Sequence, residues 1–400
     1  MLAAVAAMLV AVAAIAYVLF LQKPGDVSNP NVAFNGRDAA ARAAPGAHFV
    51  WPVYGYTPQR TRYLNASIKP GGQQWQFVAG SLIEFQPILA HGHMYLVANN
   101  GTATALSTST GKVEWQRSVG SLNASSPAWA AGRLYVVTLS RAVMCLDAAT
   151  GATIWQRPLP SRSESSPLVM NGRVYFGSED GTVYALDART GAAIWTYRAP
   201  GAVKAGLAYE AGRLYFGDYT GRVHALRAVD GAPMWTTETH GLAFLRSGRF
   251  YSTPAVAYGR VYLGNTDGKV YSFAAATGEL AWTHTTGSFV YSAPAVASVP
   301  GAGPTVYIGS YDGTFYALDA RTGATRWTYD DGGKISGAPT VVGSVAYFSN
   351  LAHDTTVGLD AATGRRVWQV SRGAFNPVIS DGVRLYVTGY SSETAFSGQR

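Results

Sequence analysis

Eight tryptophans stand at near-constant intervals, at Trp75, Trp115, Trp155, Trp195, Trp235, Trp282, Trp327 and Trp368. Their spacings are 40, 40, 40, 40, 47, 45 and 41 residues. Each lies four residues after a glycine: Gly71, Gly111, Gly151, Gly191, Gly231, Gly278, Gly323 and Gly364. Tyrosine recurs in the same phase at Tyr95, Tyr135, Tyr175, Tyr215, Tyr262, Tyr307, Tyr347 and Tyr386. Proline recurs at Pro87, Pro127, Pro167, Pro254, Pro294, Pro339 and Pro377, with Leu207 once in its place. A repeat of about 40 residues means stacked or radially arranged copies of one supersecondary unit.

The unit ending at Trp195 shows what is repeated. Ser165–Val169, Gly172–Gly177 and Thr182–Leu186 read as short strands with period-2 alternation, and Ala192–Trp195 begins a fourth. Asp180-Gly181 is a two-residue hairpin signal. In Asp187-Ala188-Arg189-Thr190-Gly191 the carboxylate accepts turn amides and the glycine supplies a positive φ. Four antiparallel strands in about 40 residues make a propeller blade. After Trp368 the chain offers strands near Asn376–Ile379, Arg384–Val387 and, weakly, Thr394–Ser397, but no fourth. The strand at Trp75 has nothing before it to pair with. Joining the two closes an all-β, eight-bladed propeller of four-stranded antiparallel blades over 49–400. Each repeat tryptophan then crosses to a neighbouring blade, and burying such a ring is worth roughly 2–3 kcal/mol.

The consensus Ala-Leu-Asp-Ala-x-Thr-Gly-x-x-x-Trp, as in Ala185–Trp195 and Ala317–Trp327, resembles the repeat of pyrroloquinoline quinone enzymes and their non-enzymatic relatives. The opening Trp51-Pro52-Val53-Tyr54-Gly55-Tyr56-Thr57-Pro58-Gln59-Arg60-Thr61-Arg62-Tyr63 resembles the segment that precedes such propellers. The resemblance implies either a quinone- and calcium-dependent dehydrogenase or a non-catalytic scaffold. The enzymes carry a vicinal cysteine pair, calcium ligands and an aspartate base. This chain has one cysteine, Cys145, in an apolar strand, and offers no recognisable ligand cluster or base. The expectation is therefore a binding or assembly scaffold without a cofactor, closest in character to the BamB-like members. A dehydrogenase and a carbohydrate-binding propeller are the alternatives.

Residues Leu2–Leu21 are apolar apart from the Tyr17 hydroxyl, long enough to span about 30 Å as a helix. They are expected as a transmembrane anchor or uncleaved signal over 1–21, ahead of a flexible Ala/Gly/Asn/Pro-rich tether over 22–48. Lys23, Arg37 and Arg42 follow the segment, and read alone they would keep the propeller cytoplasmic. The family resemblance points instead to an extracytoplasmic propeller. The net charge of +8 comes from scattered arginines without a basic run, which speaks against nucleic acid as a partner. The expected partner is a protein or polymer on a propeller face, with the chain itself a monomer.

Three groups of residues are candidates for binding. Three positions before the repeat proline stand Glu84, Ala124, Glu164, Lys204, Tyr251, Tyr291, Ser336 and Ala374. One position earlier the side chains are mostly apolar: Ile83, Val203, Phe250, Val290 and Ile335. Alternation puts the polar set into the central channel, where Glu84, Glu164, Lys204, Tyr251, Tyr291 and Ser336 form a ligand site or simply satisfy one another. An insertion between Trp235 and Pro254 carries His240, Phe244, Leu245, Arg246, Arg249 and Phe250, a recognition lip or a longer loop packed on its own blade. Arg133, Arg173, Arg213 and Arg260 each follow a glycine in a first-to-second-strand turn. On the opposite face they form a basic, membrane-facing surface or a set of solvated turns. His91, His93 and Asp330-Asp331-Gly332 read as turn chemistry, with no metal site expected.

Overall fold

Period-2 segments separated by glycine turns form strands wherever the repeat places them. The computed structural model describes residues 25–35, 48–239 and 248–399, together with the isolated positions Met8 and Val12. Seven antiparallel blades follow one another over 88–118, 128–158, 168–198, 208–238, 255–285, 295–330 and 340–370. Blade 8 takes Val378–Ser380, Arg384–Thr388 and Ser392–Gln399 from one end of the sequence and Lys69–Val78 from the other. Its register sets Trp75 opposite Ala395, as the closure argument requires. The third strand of this blade is eight residues long, not weak, and Gly71 lies inside the closing strand instead of in a turn.

The spacing of glycine and tryptophan has one cause. The Trp327 indole N–H of blade 6 donates to the Ala361 carbonyl of blade 7 at 3.2 Å, and the Tyr307 hydroxyl donates to the same oxygen at 2.8 Å. Gly364, in the turn that presents that carbonyl, has φ +75, and a Cβ there would stand 2.7 Å from the Trp327 ring. The same tryptophan-to-carbonyl clamp recurs from Trp75 to Thr108, Trp115 to Ala148, Trp155 to Ala188, Trp195 to Ala228, Trp235 to Ala275 and Trp282 to Ala320. Each blade but the seventh thus reads the turn of the next.

Two irregular stretches before the first blade are built into the ring. Residues 25–35, expected within a flexible tether, form a strap along the outer edge of blade 5. Asn29 N donates to Ala281 O at 2.7 Å, Thr283 N to Val27 O at 3.0 Å, and Asn35 N to Tyr258 O at 3.0 Å. Phe34 stacks on Tyr258 at 5.3 Å. Beneath the strap Trp282 is 0% exposed, where Trp75 and Trp155 are 9% and 8%. The second stretch, 49–64, runs round the inside of the ring. Val50–Trp51 pairs with the inner strand of blade 1, and Tyr63–Leu64 pairs in parallel with that of blade 7. Apart from Met8 and Val12, the apolar segment lies outside the described residues. Among the described residues no helix is long and apolar enough to cross a membrane. Cys145 is fully buried opposite Tyr135 and Trp155, away from the channel.

Candidate functional site

Inner strands of a propeller expose their backbone amides to the channel. Here the 52–62 segment takes them up in turn. Pro52 O accepts from Trp129 N, Pro58 O from Tyr209 N, Gln59 O from Val256 N, Thr61 O from Val296 N and Arg62 O from Val341 N, at 2.7–2.9 Å. The result is a plug across one end of the channel. Arg60 lies fully buried in it, donating to the carbonyls of Tyr54, Leu207 (2.9 Å), Ser166 (3.1 Å) and Pro167 (3.3 Å). Arg62 donates to Arg60 O at 2.8 Å and Pro294 O at 3.3 Å, with its guanidinium 4.6 Å from the Tyr54 ring centre. No carboxylate balances either cation among these partners. Burial, with Arg62 beside it, pushes the Arg60 guanidinium down to about 9.

The plug makes the channel blind. Above it lies a cavity of about 230 Å³ with Tyr54 at its floor. Glu84, Lys204, Tyr251, Tyr291 and Ser336, five of the six channel residues named from the sequence, line it. The sixth, Glu164, holds two of them: its carboxylate accepts from Lys204 Nζ at 2.6 Å and from the Tyr251 hydroxyl at 2.8 Å. Lys204 also pairs with Glu179 at 2.9 Å. Burial, and then Glu164, raises the Tyr251 phenol well above its usual range. Glu84 has no hydrogen-bond partner for its carboxylate among the described residues. Burial, with Glu164 opposite, raises it to about 6. Tyr219, Tyr251, Tyr291 and Tyr311 form an arc with ring centres 6.3, 5.8 and 4.8 Å apart. Glu84, Glu164, Lys204, Tyr251, Tyr291 and Ser336 come from the irregular connectors that lead into the inner strands, and Tyr219 and Tyr311 from the second-to-third-strand hairpins. The apolar positions beside them, Ile83, Val203, Phe250, Val290 and Ile335, are fully buried.

Counting one position further from the proline gives a ring the sequence reading passed over: Leu82, Leu122, Arg162, Ala202, Arg249, Phe289, Lys334 and Arg372. Arg162, Arg249 and Lys334 are exposed and Arg372 is half-buried, so the rim of the mouth is basic. Arg249 and Lys334 lie 5.5 Å from the rings of Tyr219 and Tyr311. The register arithmetic that found the channel set would have found this one too. Of the insertion, His240, Phe244, Leu245 and Arg246 lie outside the described residues. Of the described insertion residues, Phe250 is buried and Arg249 joins the mouth.

The four turn arginines do not make one free basic surface. Arg260 is 1% exposed, donating to Val32 O and Ala33 O at 2.6 Å beneath the strap. Arg133, Arg173 and Arg213 are half-buried and reach the carbonyls of Arg189, Ala228 and Ala275 in the following blade at 3.3–3.4 Å. They are cross-links between blades, a role hidden in the sequence because the acceptor lies 55–62 residues downstream for Arg173 and Arg213.

Catalytic equipment is sparse in the channel. An Asp218–His224–Thr236 array exists, with 3.1 Å contacts, but it is sealed inside blade 4 with Asp218 and His224 at 0% exposure. His93 pairs with Glu114 at 2.6 Å, while His91 packs 5.0 Å from the Trp129 ring. Among the described residues no group of three or more His, Cys, Asp or Glu side chains converges to hold a metal. A quinone with its calcium does not fit these residues: Glu164 is committed to Lys204 and Tyr251, and Glu84 has no second carboxylate free to share a cation.

The sequence profile of a family described as outer membrane protein assembly factor BamB matches residues 53–129, 117–205, 179–297 and 291–399. No curated protein matches the sequence significantly. Among solved structures, BamB from Moraxella catarrhalis is similar with a TM-score of 0.66 and 22% identity, over 81% of this chain and 97% of that one. A europium-containing methanol dehydrogenase gives 0.72 and 16%, over 85% and 89%. The quinohemoprotein alcohol dehydrogenase from Comamonas testosteroni gives 0.71 and 15%, over 89% and 81%. At these identities the likeness is one of fold, shared by scaffold and enzyme alike.

Proposed function

The chain belongs to the family described as outer membrane protein assembly factor BamB, and from that premise we propose a non-catalytic scaffold that holds a protein or polymer partner at the channel mouth. The observation that supports it most is the contrast inside the channel. The polar groups there, Glu84 apart, are committed to one another, while the rim cations Arg162, Arg249 and Lys334 stay exposed, Arg249 and Lys334 lying over the rings of Tyr219 and Tyr311. Such a surface suits recognition through aromatic and basic anchors. Anchoring through Leu2–Leu21, with the propeller outside the cytoplasm, belongs to the same proposal and rests on the apolar segment and the family.

A photo-crosslinking residue in the intact protein tests the partner. Placed at Phe289 on the mouth it should yield a discrete adduct, and placed at Ile194 on the outer edge of blade 3 it should yield none. Adducts from Ile194 alone would overturn the placement. The dehydrogenase alternative is checked by adding quinone and calcium and following dye reduction with alcohols and sugars. No turnover is expected, and sustained turnover would replace the scaffold reading.

A further inference from the structure

The strap has a direction. At one end Gly25 O accepts from Lys269 Nζ at 3.3 Å and Asp26 accepts from the Thr285 hydroxyl at 2.7 Å. Lys269 and Thr285 are paired residues at the end of blade 5 where the second-to-third-strand hairpin and the next connector lie, which is the mouth side. At the other end Asn35 bonds Tyr258 O, in the first-to-second-strand turn on the plugged side. The strap therefore enters at the mouth-side corner of blade 5 and leaves towards the plug. Its seat is particular to this blade. Tyr258 replaces the Ala131 and Ala211 of blades 2 and 4 under Phe34, and Arg260 is folded under the strap carbonyls where Arg133, Arg173 and Arg213 cross to the next blade.

Only Gln22, Lys23 and Pro24 separate the apolar segment from this corner. However they run, Leu21 and Gly25 stand no more than about 14 Å apart. The same face carries Arg162, Arg249, Lys334 and Arg372 around the channel, and Phe289, 49% exposed, in the connector that leaves blade 5. We infer that the mouth face, tipped at its blade 5 corner, is the surface the propeller turns towards an anionic bilayer, with the plugged face turned away, so that the partner proposed for the mouth is met at the membrane surface. This rests on the anchor reading above and replaces the expectation that the turn arginines face the membrane. Cations near an anionic surface favour contact about fivefold each, and an exposed phenylalanine at the rim adds an interfacial anchor.

The test uses the full chain in phosphatidylcholine vesicles with and without phosphatidylglycerol. A fluorophore is attached at Phe289→Cys or at Ser109→Cys, an exposed turn on the plugged side of blade 1, with the buried Cys145 left in place. Headgroup-level quencher lipids should quench the Phe289→Cys label severalfold more than the Ser109→Cys label. Asn29→Pro and Asn35→Pro with Phe34→Ala, which removes the two strap amides that donate to Ala281 and Tyr258 together with the ring stack, should bring the two signals together while the protein still floats with the vesicles. Changing Arg162, Arg249, Lys334 and Arg372 to Gln should remove the extra quenching that phosphatidylglycerol gives. If the chain fails to float, the anchor falls and the placement with it. If it floats and the Ser109→Cys label is quenched equally or more, the placement alone is wrong. Indifference to the four Gln changes would exclude the headgroup contact.

Discussion

At the seam between blades 6 and 7, Trp327 and Tyr307 both donate to the Ala361 carbonyl, and Gly364 leaves room for the indole. At the seam between blades 7 and 8, Trp368 rests edge-on against Phe396 with ring centres 5.6 Å apart, and the Tyr347 hydroxyl is buried without a partner. The difference follows from how the ring is closed. In the other blades the chain turns after the third strand and presents a carbonyl to the blade behind. In blade 8 it runs on, extended, so that Gln399 pairs with Lys69. Closing the ring with a strand from the other end of the chain removes the turn that the seventh blade would have used. One repeat thus yields seven clamped seams and one whose tryptophan makes apolar contact in place of the clamp.

Blade 8 also carries a buried carboxyl at a third-strand position where the other blades carry none. Glu393 occupies the register held by Val143, Val183, Val223, Val270 and Phe315, is fully buried, and neither carboxylate oxygen has a partner. Burial raises it to about 8 from an ordinary 4.5, opposed only by Thr388. The folded state then holds its proton more tightly than the unfolded one. Its contribution is complete below the unfolded value and declines by about 1.4 kcal/mol per pH unit until the folded value is passed. The largest expected effect in the molecule is therefore Glu393→Val, which restores the residue of blades 2 to 5. In urea unfolding it should stabilise by several kcal/mol at pH 8, with the gain shrinking steadily towards pH 4.5. A gain independent of pH would break the comparison.

Next in size is Gly364→Ala. The positive φ and the indole 2.7 Å away leave no room for a Cβ, so a loss of about 3 kcal/mol is expected by the same measurement. The smallest effects form a matched pair. Tyr307→Phe should cost about 1 kcal/mol through the lost bond to Ala361, whereas Tyr347→Phe should cost nothing. Equal losses would mean that the two seams are joined alike after all. Midway in scale, Glu84→Gln should abolish a shallow loss of stability as pH rises from 4.5 through about 6, visible as a flatter melting-temperature profile.

The ring itself could be read from residue spacing because each blade repeats one requirement: a glycine where the next indole lies, and a proline ahead of the inner strand. The channel side chains followed from the same register. What could not be read were the strap and the plug. Most of their bonds to the ring are made by backbone to strand edges, so they impose no period on 25–35 or 49–64. Arg260 shares its turn register with Arg133, and nothing local says that Val32 and Ala33, more than 220 residues upstream, will cover it. Arg60 is similar, a cation with carbonyl partners at the entries to blades 3 and 4.

The pairing of Lys69–Val78 with Ser392–Gln399 also imposes a timetable. At about 5–20 residues per second, the first of these segments emerges from the ribosome roughly 15–60 s before the second exists. Throughout that interval a ten-residue edge, rich in glutamine and flanking Trp75, has no mate within its own molecule. The plug is delayed as well, since its last contact, near Val341, is synthesised long after Arg62. Ring closure must be a late event, and whatever shields nascent edges in the cell has this stretch as its natural client.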